Sequence, residues 1–132
     1  YIDGYVLVEE LKKIDLPGVL FRPIHFEPTF QKHAGQRCGG IQLHVTDRSA
    51  FMPYRTGLAI LWTIRQLWSK NFEWRKDTYE FRNDVPAIDL LTGFPSVREG
   101  IDAGEPFDRV MEAALQGTEK YKINRYQSLL YK

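Results

Sequence analysis

The stretch that most restricts the fold is Cys38-Gly39-Gly40-Ile41-Gln42-Leu43-His44-Val45-Thr46-Asp47-Arg48. Ile41, Leu43 and Val45 alternate with Gln42, His44 and Thr46, the period-two pattern of a strand with one side on a core. The other side carries an amide, an imidazole and a hydroxyl where a solvated strand would carry Lys and Glu. Such groups orient polar ligands, or they sit hydrogen-bonded beneath a covering element. The pattern leaves both readings open. Gly39-Gly40 admits a close approach by another backbone or a ligand, or forms a bulge.

The flanking sequence predicts an α+β domain: a small mixed sheet of about three strands with helices packed on it. Asp3 caps a first helix with Leu7, Leu11 and Ile14 as its apolar stripe, and Pro17-Gly18 ends it. Val19 to Phe26 reads as a strand that Pro23 confines to an edge or a bulge, with Arg22 and His25 as its polar groups. Glu27 to Arg37 reads as a loop long enough to be functional. Pro53, best tolerated at the first helical position, starts a helix running to about Lys70. That leaves Asp47 and Ser49 too early to cap it, although an Asx-turn at Asp47 remains open. Gly57, Ile60, Leu61, Ile64, Leu67 and Trp68 are expected to pack on the sheet.

Thr78 to Arg82 is the expected third strand. A helical turn from Ala87 to Leu91 ends at Gly93, and Ser96 is expected to cap a short helix stopped by Gly104. The last helix starts at Pro106 with Phe107, Val110, Met111, Ala114 and Thr118 on one face. Gly117 breaks it before a terminal segment in which Tyr126, Leu129 and Leu130 pack down.

The length of 132 residues fits one domain with its own core. The formal charge of +1 comes from interleaved acids and bases with no basic stripe, so nucleic acid is not an expected partner. No apolar run reaches membrane-spanning length, and no membrane partner is expected. The single Cys38 excludes an internal disulfide. His25, His33 and His44 match no metal-ligand spacing, so neither a metal nor another cofactor is expected. The chain opens on Tyr1-Ile2-Asp3 without an initiator Met, as an excised domain would. Asp89, flanked by apolar residues, must be held by an arginine or placed at a site. Arg22, Arg48 and Arg55 are candidates to grip it, or to grip a ligand carboxylate bidentately.

Leu16-Pro17-Gly18-Val19 with Phe21-Arg22-Pro23, then Pro28-Thr29-Phe30, the whole Cys38–Arg48 run and Pro86-Ala87-Ile88-Asp89-Leu90-Leu91-Thr92-Gly93 together resemble the DUF1343 family. Members include bacterial exo-β-N-acetylmuramidases, which remove terminal N-acetylmuramic acid from peptidoglycan fragments. The resemblance covers nearly the whole chain and implies the smaller C-terminal auxiliary domain of a two-domain protein. The family's Rossmann-like N-terminal domain, which holds its catalytic carboxylate, would be the partner across a cleft. No catalytic residue is therefore expected here, and the isolated chain is expected to be inactive. A muropeptide or amino sugar is the implied ligand, with Arg22, His25, Gln42, His44, Thr46, Asp47 and Arg48 as candidate contacts. The bacterial cell envelope is the implied location. The alternative is a structural domain whose polar strand face docks the N-terminal domain without touching substrate.

Overall fold

Asp3 starts the first helix as its side chain requires. Its Oδ1 accepts from the Tyr5 and Val6 N–H groups at 2.8 and 3.3 Å, satisfying two of the donors a helix start leaves open. In the computed structural model, which describes residues 1–131, this helix is α1, Gly4–Leu11. Leu7, Val8 and Leu11 are buried. Ile14 lies beyond its end and is only half-buried.

Two strands follow, β1 (Val19–Phe26) and β2 (Cys38–Val45), paired antiparallel from Val19↔Val45 to Phe26↔Cys38. Pro23, opposite Ile41, is tolerated because a two-stranded sheet consists only of edges. The register sorts side chains into two sets. Leu20, Arg22 and Ile24 share one side with Gln42 and His44, while Val19, Phe21, Pro23 and His25 share the other with Ile41, Leu43 and Val45.

α1 packs on both strands from the second side. A Cβ on Gly39, which lies on that side, would strike the Ile2 carbonyl, and one on Gly4 would strike the Gly40 carbonyl. Val19 is buried there, and Phe21, Pro23 and Ile41 are half-buried. Leu43 and Val45, expected in the core, are instead 43% and 46% exposed. Eight helical residues span about 12 Å, less than half the roughly 26 Å of an eight-residue strand, so α1 leaves part of this side uncovered.

α2 (Pro53–Leu67) begins with Pro53 at its first turn, as the sequence predicts. Its main packing partner is α1, not the sheet. The fully buried residues are Thr56, Leu58, Ala59 and Thr63, whereas Gly57 is exposed and the Ile60, Leu61, Ile64, Leu67 and Trp68 set is half-buried. The sheet has only two strands, too narrow for a second helix beside α1, so the next amphipathic helix stacks on α1.

The chain gathers into two compact units, Tyr1–Glu73 and a second beginning at Trp74. The second unit is helical: α3 (Ala87–Thr92), α4 (Pro95–Ala103), α5 (Phe107–Ala114) and α6 (Thr118–Tyr126). Gly93, Gly104 and Gly117 adopt left-handed φ of 86°, 72° and 79° at the helix junctions, the role their spacing predicts. Phe107, Val110, Met111 and Ala114 are buried as expected. Other expectations fail. The helix begun at Pro106 is not the last, since α6 follows Gly117 and holds Thr118. Pro95, not Ser96, opens α4, whose N-cap Phe94 makes no side-chain bond. The terminal residues Tyr126, Leu129 and Leu130 are exposed rather than packed, and α6 buries nothing.

The expected third strand is a tight turn. Tyr79 and Arg82 exchange two backbone hydrogen bonds of 2.9 Å, with Glu80 and Phe81 both at positive φ of 47° and 64°. That is the backbone of a type I′ turn, which two non-glycine residues occupy at a conformational cost. The sheet accordingly has two strands rather than about three. Arg82 grips Asp84 through two 2.7 Å bonds and holds that carboxyl below the usual carboxylate range. Because Phe81 is fully exposed, Glu80→Asn with Phe81→Gly should relieve strain without losing packing. The expected gain is about 1 kcal/mol, read as a higher urea midpoint at unchanged slope. A lower midpoint would contradict the strain.

Candidate functional site: the open side of the sheet

The side of the sheet turned away from α1 is where the polar strand pattern comes to lie. Gln42 and His44 are exposed, as are Arg22 and Leu20, their partners across the ladder. No helix seals them. Arg22 Nη2 donates to Gln42 Oε1 at 2.5 Å, a cross-strand pair joining directly opposite residues. This bond fixes the Gln42 amide so that its NH2 group points away from Arg22. It uses one of the five guanidinium N–H donors and leaves the others for a ligand. The His44 side chain makes no hydrogen bond or ion pair among the described residues.

The strand ends in a turn that Asp47 builds. Its Oδ1 accepts from Ser49 N–H at 2.8 Å and Ala50 N–H at 3.3 Å, an Asx-turn. Gly18 closes the same corner from below: its carbonyl accepts from Thr46 and Asp47, and its φ of 73° with the Asp47 carbonyl alongside leaves no room for a Cβ. Thr46 and Arg48 are exposed there, and Arg48 has no ion-pair partner among the described residues. Of the seven residues singled out from the sequence, Arg22, Gln42 and His44 are thus brought together on one side. Thr46 and Arg48 stand at its end, Asp47 is engaged in the turn, and His25 falls on the opposite side, across from Gly39.

Asp89 belongs to neither group. In the second unit it is buried and held bidentately by Arg98, at 2.8 and 3.0 Å. The carboxylate raises the pKa of that guanidinium further. Its partner is an arginine nine residues on, not Arg22, Arg48 or Arg55. Among the described residues no group of three or more His, Cys, Asp or Glu side chains could hold a metal ion. No described helix is long and apolar enough to cross a membrane.

Residues 1–131 match the family described as exo-beta-N-acetylmuramidase NamZ, C-terminal. The chain belongs to the NamZ C-terminal family. It is 33% identical over 131 residues to the peptidoglycan beta-N-acetylmuramidase NamZ of Bacillus subtilis (strain 168), covering 99% of this chain and 30% of that protein. The crystal structure of a DUF1343 family protein from Bacteroides fragilis superposes on the whole chain with a TM-score of 0.78 at 19% identity. This NamZ C-terminal chain therefore spans about a third of the length of the relatives it matches, 30% of one and 34% of the other. The α+β arrangement is common to it and the Bacteroides protein.

The sequence reading missed a second group of residues. Lys32, His33, Gln36 and Arg37, on the loop between β1 and β2, line a cavity with Phe26 and Cys38. The signal was present: after Glu27 that loop carries bases and a histidine but no acid.

Proposed function

We propose that this chain forms one wall of a sugar-binding cleft in a bacterial peptidoglycan β-N-acetylmuramidase. The opposite wall and the catalytic carboxylate come from a Rossmann-like N-terminal domain. The observation that carries the reading is the exposed Arg22–Gln42–His44 row on the uncovered side of the sheet. N-acetylmuramic acid carries a lactyl carboxylate, an amide and hydroxyls. The free guanidinium donors of Arg22 suit the carboxylate, and Gln42 and His44 suit the neutral groups. Thr46 and Arg48 extend the row at its rim. His25 and Asp47 are left out of the sugar contacts, the first for its side of the sheet and the second for its turn. The protein works in the cell envelope, where its polymer is found, and the chain by itself has no hydrolase activity.

The carboxylate contact is tested by comparing N-acetylmuramic acid with N-acetylglucosamine, which lacks the lactyl group. The chain should bind the first more tightly, and Arg22→Ala should bring the two to within a few-fold, a loss of roughly tenfold in preference. A preference that survives Arg22→Ala would contradict the assignment.

Leu20 favours a second reading, in which this side docks the N-terminal domain and touches no sugar. It is 64% exposed directly opposite His44, and an apolar group beside polar ones is common in interfaces. Under that reading neither sugar binds the isolated chain, and Leu20→Ser weakens association between the two domains.

A further inference from the structure

The loop that joins the strands borders a half-open cavity of about 530 Å³ within the first unit, a volume ordinary for small-molecule sites. Lys32, His33 and Arg37 line it, and no Asp or Glu does. Several charges elsewhere are paired: Lys12 with Glu9, Lys13 with Glu10, Arg98 with Asp89, Arg109 with Glu112 and Lys122 with Glu119. Lys32 and Arg37 have no such partner among the described residues. Ile2, Phe26 and Pro28 give the wall an apolar part, and Tyr1, Gln36 and Cys38 also line it.

The loop is held in shape rather than left loose. Gly35 N–H donates to the Pro28 carbonyl at 2.9 Å and Gln36 N–H to that of His33 at 3.0 Å. Gln31 and His33 are fixed at left-handed φ of 62° and 59°. Non-glycine residues rarely adopt that conformation, and such outliers gather at binding sites, where the surrounding structure over-determines them.

We infer that this cavity binds an organic carboxylate with an apolar body of about dipeptide size, such as the C-terminal end of a short peptide. Arg37 and Lys32 hold the carboxylate, and Phe26, Ile2 and Pro28 receive the apolar part. A bare sugar fits less well, because its many hydroxyls need acceptors and the lining side chains supply few. The site is separate from the strand row and does not depend on the sugar reading.

The probe is N-acetyl-alanyl-alanine, titrated into the chain and followed by amide chemical shifts, with its C-terminal amide and inorganic phosphate as comparisons. Saturable shifts at Lys32, His33, Gln36 and Gly39 are expected, roughly tenfold weaker with the amide. Phosphate, lacking an apolar body, should bind more weakly than the dipeptide acid. Arg37→Gln with Lys32→Gln should abolish saturation without moving the melting temperature, since both side chains lie in an exposed loop. Equal affinity for acid and amide would overturn the proposal, as would phosphate binding as tightly as the dipeptide. An absence of saturable shifts in the folded wild-type chain would do the same.

Discussion

Arg98→Ala is expected to destabilise the chain by about 3 kcal/mol, a large fraction of what holds a domain of this size together. The Asp89 side chain is 3% exposed and its guanidinium partner 24% exposed. Removing the arginine strands a charged carboxylate away from water, which costs far more than the pair itself contributes. Asp89→Asn keeps the shape and part of the hydrogen bonding, so its loss should be smaller. Asp89→Ala combined with Arg98→Ala should cost less than the two single losses added, because no lone charge remains. Urea unfolding followed by tryptophan fluorescence, with Trp74 in the same unit, reads the wild type and each variant. An Arg98→Ala loss below about 1 kcal/mol would contradict the account of this pair.

The second large effect is at the crossing of α1 over β2. Gly39→Ala would place a methyl group into the Ile2 carbonyl, and Gly4→Ala would do the same to the Gly40 carbonyl. These are backbone atoms, so relief requires shifting the helix off the strands. Each substitution is expected to cost about 3 kcal/mol, at the upper end for overpacking. Gly57→Ala is the control. It lies on the exposed side of α2 with nothing near the added carbon, and should stabilise by about 1 kcal/mol through helix propensity. A neutral Gly39→Ala would mean that the helix does not approach the strand so closely.

These two sites also show what the residues disclose and what they conceal. Gly39-Gly40 announces a close approach, and the approaching group is the chain's own N-terminal backbone. Asp3, Pro53, Gly93, Gly104 and Gly117 mark element ends because capping and positive φ are local requirements. The alternation through Gln42 and His44 was legible for the same reason. What depends on partners far along the chain was not. The alternation cannot tell how far an eight-residue helix will cover it, which is why Leu43 and Val45 are exposed. Nor does helical spacing tell whether α2 meets a sheet or another helix. Glu80-Phe81 has the composition of a strand and lacks Asn or Gly, so its turn was hidden by the residues least suited to it. Asp89 visibly needed either an arginine or a place at a site, and its arginine is settled by how α3 packs on α4.

The open row on the sheet is tested most directly by titrating the chain with N-acetylmuramic acid and mapping the shifts of its amide and imidazole signals. Saturable changes gathered at Leu20, Arg22, Gln42 and His44, with the loop from Lys32 to Arg37 undisturbed, are the predicted result. Changes confined to that loop, or none at millimolar sugar, would contradict it.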